Sequence, residues 1–131
     1  MTDLGLLALR LLAGLGIARH GYPKIFAAGT MDGMTTEAGR LGFPVPVLFA
    51  WAAALSELLG GILLALGLGS RIAAFFIFAT MSVAAFMHHR ADPLSGKELA
   101  LAYWAASLAL MLTGPGGLSL DRLLGRERAK K

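Results

Sequence analysis

Apolar residues in this chain gather in long blocks instead of alternating or forming one-sided stripes. Four blocks stand out, over residues 4–25, 47–68, 72–88 and 98–113. A helix needs roughly 20 mostly apolar residues to cross the hydrocarbon layer of a bilayer, and each block approaches that length. Together they are rich in Ala and Leu, which favour helix, and they are too long for the strands of a membrane barrel. The pattern predicts an all-α integral membrane four-helix bundle, one domain over residues 1–131.

The breaks between blocks are also legible. The loop from Phe26 to Pro46 closes on Gly42–Pro46, which holds two prolines. Gly67, Gly69 and Ser70 predict a tight turn, with Ser70 as N-cap of the next helix. Asp92-Pro93 ends the third block, and Ser95 with Glu98 has capping-box spacing before the fourth. Gly114-Pro115-Gly116-Gly117 stops the fourth. Ser119 is then expected to cap a short amphipathic piece with Leu120, Leu123 and Leu124, in a tail over residues 119–131 at the membrane surface. The first block has no basic start, carries Asp3 and holds Arg10 inside its apolar run, so it is expected to be a retained span, not a leader.

Composition supports lipid as the surroundings. Hydrophobic residues make up 56% and charged residues 15%, where soluble domains carry about 25% charged. The absence of cysteine excludes disulfides, thiol redox chemistry and Cys-based metal sites. The net charge of +4 is scattered, which argues against nucleic acid as a partner. The final run of Arg126, Arg128, Lys130 and Lys131 suits anionic lipid headgroups instead. Four crossings would place Arg71, Arg122 and that run on one side, and Lys24, Arg40, Arg90 and Lys97 on the other. This balance favours both termini in the cytoplasm, with the chain multi-pass in the inner cell membrane.

Charges within spans need a partner or a task, because each costs about 2.5–3.5 kcal/mol on the insertion scale. Glu57 sits in the second block among Ala50, Ala53, Ala54, Gly60 and Gly61, a stripe that admits another helix closely. Arg10 is its expected partner, since helix geometry places the two at depths differing by about 6 Å. The pair is either an ion pair fixing helix register or a proton-handling site. Nearer the opposite face, His20, Lys24, His88 or His89, and Glu98 are expected to gather from three helices. Tyr22, Tyr103 and Trp104 have the character of interface aromatics. Haem held by two histidines is disfavoured, since three histidines near loops meet that test too easily. No metal or nucleotide motif appears.

Taken in order, these residues resemble the DoxX family of small four-helix membrane proteins. The first helix has Arg10, Gly14 and His20-Gly21-Tyr22-Pro23-Lys24. The second has Glu57-Leu58-Leu59-Gly60-Gly61, followed by Arg71. Met81, His88 or His89, Glu98, Tyr103 and the ending Gly114-Pro115-Gly116-Gly117-Leu118-Ser119-Leu120-Asp121 complete the likeness. The resemblance implies a membrane component of an oxidoreductase; the related DoxD branch passes electrons from thiosulfate to quinone.

The reading that follows is a membrane subunit of a redox system, with a quinone-type ligand among its helices and electrons from a partner protein. Glu57 and Arg10 would carry the catalytic proton, and His20, Lys24, His88, His89, Glu98 and Tyr103 would hold the ligand. The alternatives are a non-catalytic membrane anchor or assembly partner, or a small-solute or ion pathway, which a homo-oligomer would make roomier.

Overall fold

The computed structural model describes residues 1–125. Its long helices are α1 (Thr2–Phe26), α3 (Pro46–Leu66), α4 (Ser70–Val83) and α5 (Leu94–Thr113). A short helix, α2 (Thr30–Arg40), links α1 to α3, and α6 (Leu120–Leu123) closes the described chain. α4 runs on through a π-helical turn, Ala84–His88. No strand occurs among the described residues. The protein is an all-α membrane helical bundle.

Three helices, Thr2–Phe26, Pro46–Leu66 and Ser70–His88, are long and apolar enough to cross a bilayer. α5 has 20 residues, but Lys97 and Glu98 shorten its uncharged run to Leu99–Thr113. It completes the bundle by packing on α4. Leu110 joins Ile17, Leu64, Ala74, Ile77 and Met81 in the buried core. The exterior is apolar as well: Leu12, Leu15, Ile72, Phe75, Phe76 and Leu112 are all exposed. So much exposed apolar side chain is what a lipid-facing surface presents.

The tightest joint lies between α1 and α3. A methyl built on Gly14 would lie 2.5 Å from the Gly61 carbonyl oxygen, and one on Gly61 would lie 2.5 Å from that of Gly14. Backbone therefore meets backbone, as small-residue motifs allow in membranes. The same contact sets the register. Gly21 falls against Glu57 and Leu58, and Arg10 falls against Gly67.

The start of α1, the α3–α4 turn and the segment after α5 share one end of the bundle, here the terminal end. Gly117 N–H donates to Asp3 there at 2.6 Å, and Asp121 N–H donates to the Gly67 carbonyl at 2.8 Å. α2, the π-turn and the start of α5 lie at the other, distal end.

Three local expectations change. The Phe26–Pro46 loop contains a helix, α2, which two glycines and three threonines hid from its sequence. Contact with α3 supports it. Ser70 does not cap α4; the Asp121 carboxylate does, accepting from Gly69 N–H at 2.8 Å and Ser70 N–H at 3.0 Å. Ser95 and Glu98 form no capping box, because α5 starts at Leu94 after Pro93 without a side-chain cap. Ser119 does cap its short helix, accepting from Arg122 N–H at 3.3 Å. The tail beyond residue 125, with Arg126, Arg128, Lys130 and Lys131, lies outside the described residues.

Candidate functional site

Glu57 is 2% exposed, on the face of α3 that also buries Ala50, Ala54, Gly60 and Gly61. Its partner is Lys24, not Arg10. Lys24 Nζ donates to Oε1 at 2.7 Å and stands 2.6 Å from Oε2. Gly21 makes this possible: with no side chain there, α1 lies directly on the backbone of Glu57 and Leu58. Lys24, one turn further along, then reaches the carboxylate. The Lys24 side chain is 32% exposed, so only the acid is fully withdrawn.

Arg10 is elsewhere because helix register forbids the meeting. It lies 11 residues before Gly21 on α1, about 16 Å at 1.5 Å per residue. Helices set flush would bring Arg10 and Glu57 to similar depths, whereas the Gly14–Gly61 contact slides α3 toward the distal end. At the terminal end, Arg10 Nη1 donates to the Pro115 carbonyl at 2.6 Å and Nη2 to that of Leu118 at 2.7 Å. Asp121 supplies the balancing charge. Arg10 thus ties α1 to the turn that follows α5.

The Lys24–Glu57 pair opens onto a cavity of about 200 Å³. Around it stand Ile17 and His20 of α1, Met81 of α4, His89, and Leu99 and Tyr103 of α5. Of the residues expected to form a site, Glu57, Lys24, His20, His89 and Tyr103 are brought together here. Arg10, His88 and Glu98 are not. His88 Nδ1 pairs with Glu37 Oε1 of α2 at 3.0 Å, and Glu98 is exposed on the first turn of α5.

His20 meets the Tyr103 ring edge-on, with centroids 6.1 Å apart. His89 Nδ1 lies 2.6 Å from Asp92 Oδ2, which links the cavity wall to an exposed acid. The π-turn that leads to His89 is a local widening of the helix often found at functional sites. The sequence did not mark Glu37, Asp92 and Asp121 as partners of His88, His89 and Arg10. Asp92 was legible as an acid three residues after His89, but Asp92-Pro93 reads first as a helix stop. Among the described residues, no cluster of three His, Asp or Glu could hold a metal ion.

A bundle of apolar helices around a small cavity with a buried ion pair in its wall defines a class of multi-pass membrane protein. The sequence pattern of the DoxX family matches residues 5–90, and the chain belongs to that family. It is 35% identical over 127 residues to Inner membrane protein YphA of Escherichia coli, across 89% of this chain and 88% of that one. Inner membrane protein YqjF of the same organism is 31% identical across 97% of both. Putative oxidoreductase CatD of Bacillus subtilis is 31% identical across 91% of this chain and 86% of its own. No solved structure matches.

Proposed function

We propose that the protein is a membrane subunit of a redox system whose cavity receives the ring of a quinone-type ligand. The observation that carries this is the Lys24–Glu57 pair at the wall of a lipid-embedded cavity shared with His20, His89 and Tyr103. A carbonyl ring that accepts electrons must also accept protons. Lys24 and Tyr103 can donate to a ring oxygen, and the imidazoles of His20 and His89 offer nitrogens that can either accept or donate a proton. Glu57 holds the Lys24 side chain in place. The electrons come from a partner protein. The oxidoreductase in the name of CatD agrees with this chemistry.

In this reading Arg10 organises the fold and takes no part in proton transfer, His88 anchors α2, and Glu98 stands outside the site. The inner cell membrane is the proposed location, in keeping with the names of the two Escherichia coli relatives. Both termini face the cytoplasm, which fusions of a compartment-sensitive reporter to either end would check.

The test is direct. Protein purified in mild detergent is extracted for bound quinone, and wild type and Glu57→Gln are titrated with a soluble quinone. Co-purified quinone, and binding weakened at least tenfold in the variant, would support the proposal. Absence of bound quinone together with equal, weak titrations would overturn it.

A further inference from the structure

We infer that the cavity is filled from the lipid, through the seam between α1 and α5, by a molecule with one compact ring and a hydrocarbon tail that stays in the seam. This rests on the cavity being the functional site, and it specifies the ligand's form and route.

Size is the first argument. Pockets that enclose a whole small ligand measure roughly 300–1,000 Å³. This cavity, at about 200 Å³, holds a ring and little else. The rest of any larger ligand must lie outside the wall.

The packing shows where the wall is weakest. α1 is sealed to α3 by Gly14, Gly21 and Gly61, where backbones touch. α4 is sealed to α5 by the core and by Trp104 Nε1 donating to Ser82 Oγ at 3.0 Å. α1 and α5 meet much more sparsely. Near the cavity their contact is the Tyr103 side chain, whose hydroxyl rests on Gly16 and whose ring meets His20. His20 and Leu99 line the cavity and are both exposed, Leu99 by 53%. Tyr103 is the side chain that closes the wall there.

Depth decides what lies beyond it. Gly16 is about 15 Å from the distal end of α1, and Tyr103 about 14 Å from the start of α5, at 1.5 Å per residue. Both fall within an apolar layer about 30 Å thick. The seam therefore faces acyl chains, not water. The few polar groups in the cavity's largely apolar wall call for a flat ring with polar atoms at its edge, and the seam's surroundings for a hydrocarbon tail. Tyr103 closes the seam over a glycine, so it swings aside against no side chain on α1.

The experiment uses the full-length protein in detergent, with 2,3-dimethoxy-5-methyl-1,4-benzoquinone and the same ring bearing two isoprene units. Binding is read by quenching of tryptophan fluorescence. The tailed probe should bind wild type at least tenfold more tightly than the tailless one. Gly16→Leu, which fills the seam and displaces the Tyr103 hydroxyl, should remove that advantage, so that the two probes bind the variant with affinities within twofold of each other. Tyr103→Ala, which opens the seam, should speed association of the tailed probe severalfold and covers the event that Gly16→Leu does not fold. Equal affinity for both probes, with tailed binding unchanged in both variants, would overturn entry through the seam and leave the site reading intact. Failure of both probes to bind wild type would overturn both.

Discussion

Arg10 and Glu57 are buried to almost the same degree, at 1% and 2% exposure, yet the bundle treats them differently. At the terminal end, both terminal nitrogens of Arg10 are fixed to backbone carbonyls. Asp121 is fixed as firmly, with its two oxygens on the N–H groups that open α4. At the distal end, Glu57 is held by a lysine side chain that is one-third exposed, beside an open cavity. A charge tied to backbone groups can neither turn nor give up a proton without unmaking the fold. A charge tied to a movable side chain next to empty space can do both. Burial alone did not separate the two cases; the nature of the partners did.

The contrast is open to attack by mutation, beginning with the largest expected effect. Arg10→Met removes both bonds to the segment after α5 and the positive charge that faces Asp121. Breaking a buried charge pair in this way costs about 3–5 kcal/mol. We expect a large fall in melting temperature in detergent, or no recoverable folded protein. A variant melting like wild type would end the structural reading of Arg10.

Gly61→Ala should follow. Its methyl would meet the Gly14 carbonyl at 2.5 Å, forcing α1 and α3 apart. Overpacking of this kind costs about 1–3 kcal/mol, and here it also shifts Lys24 from Glu57. Thermal melting should fall and quinone binding should weaken together.

Asp121→Asn leaves the shape of the cap but sets an amide NH₂ against a backbone N–H. The expected loss is about 1–3 kcal/mol, measured by thermal unfolding, with ligand binding unchanged in the folded fraction.

The sharpest test of the distal end is the double variant Glu57→Gln with Lys24→Met. Removing both members of a partly exposed pair should change stability by less than about 1 kcal/mol. Ligand binding should nevertheless fall at least tenfold. A double variant as unstable as Arg10→Met would make the two ends alike. His88→Ala should matter least. Its pairing with Glu37 is exposed, so a change within about 0.5 kcal/mol is expected.

Much of this was readable in the residues themselves. The four apolar blocks became α1, α3, the α4–π-turn helix and α5, because lipid demands long apolar helices whatever their packing. Glu57 stood out because a lone carboxylate in such a block is costly, and the small residues around it marked the face that packs. His20, Lys24, His89 and Tyr103 were also expected near one another, and they share the cavity. The partner of Glu57 was not readable. Arg10 and Lys24 are both basic residues on α1, and choosing between them requires the register of α1 against α3. α2 was hidden for a related reason, since its stability comes from α3 and not from its own Gly- and Thr-containing sequence.

The sequence by itself determined that this chain enters a membrane, how many long helices it forms and which charges cannot face lipid. Those properties follow from transfer free energy, which each segment carries alone. Only the tertiary structure decided that Lys24 meets Glu57, that Arg10 and Asp121 lock the terminal end, and that a cavity remains beside the first pair. Those outcomes depend on where two glycines, Gly14 and Gly61, let backbones touch, and a contact between helices has no trace in either helix alone.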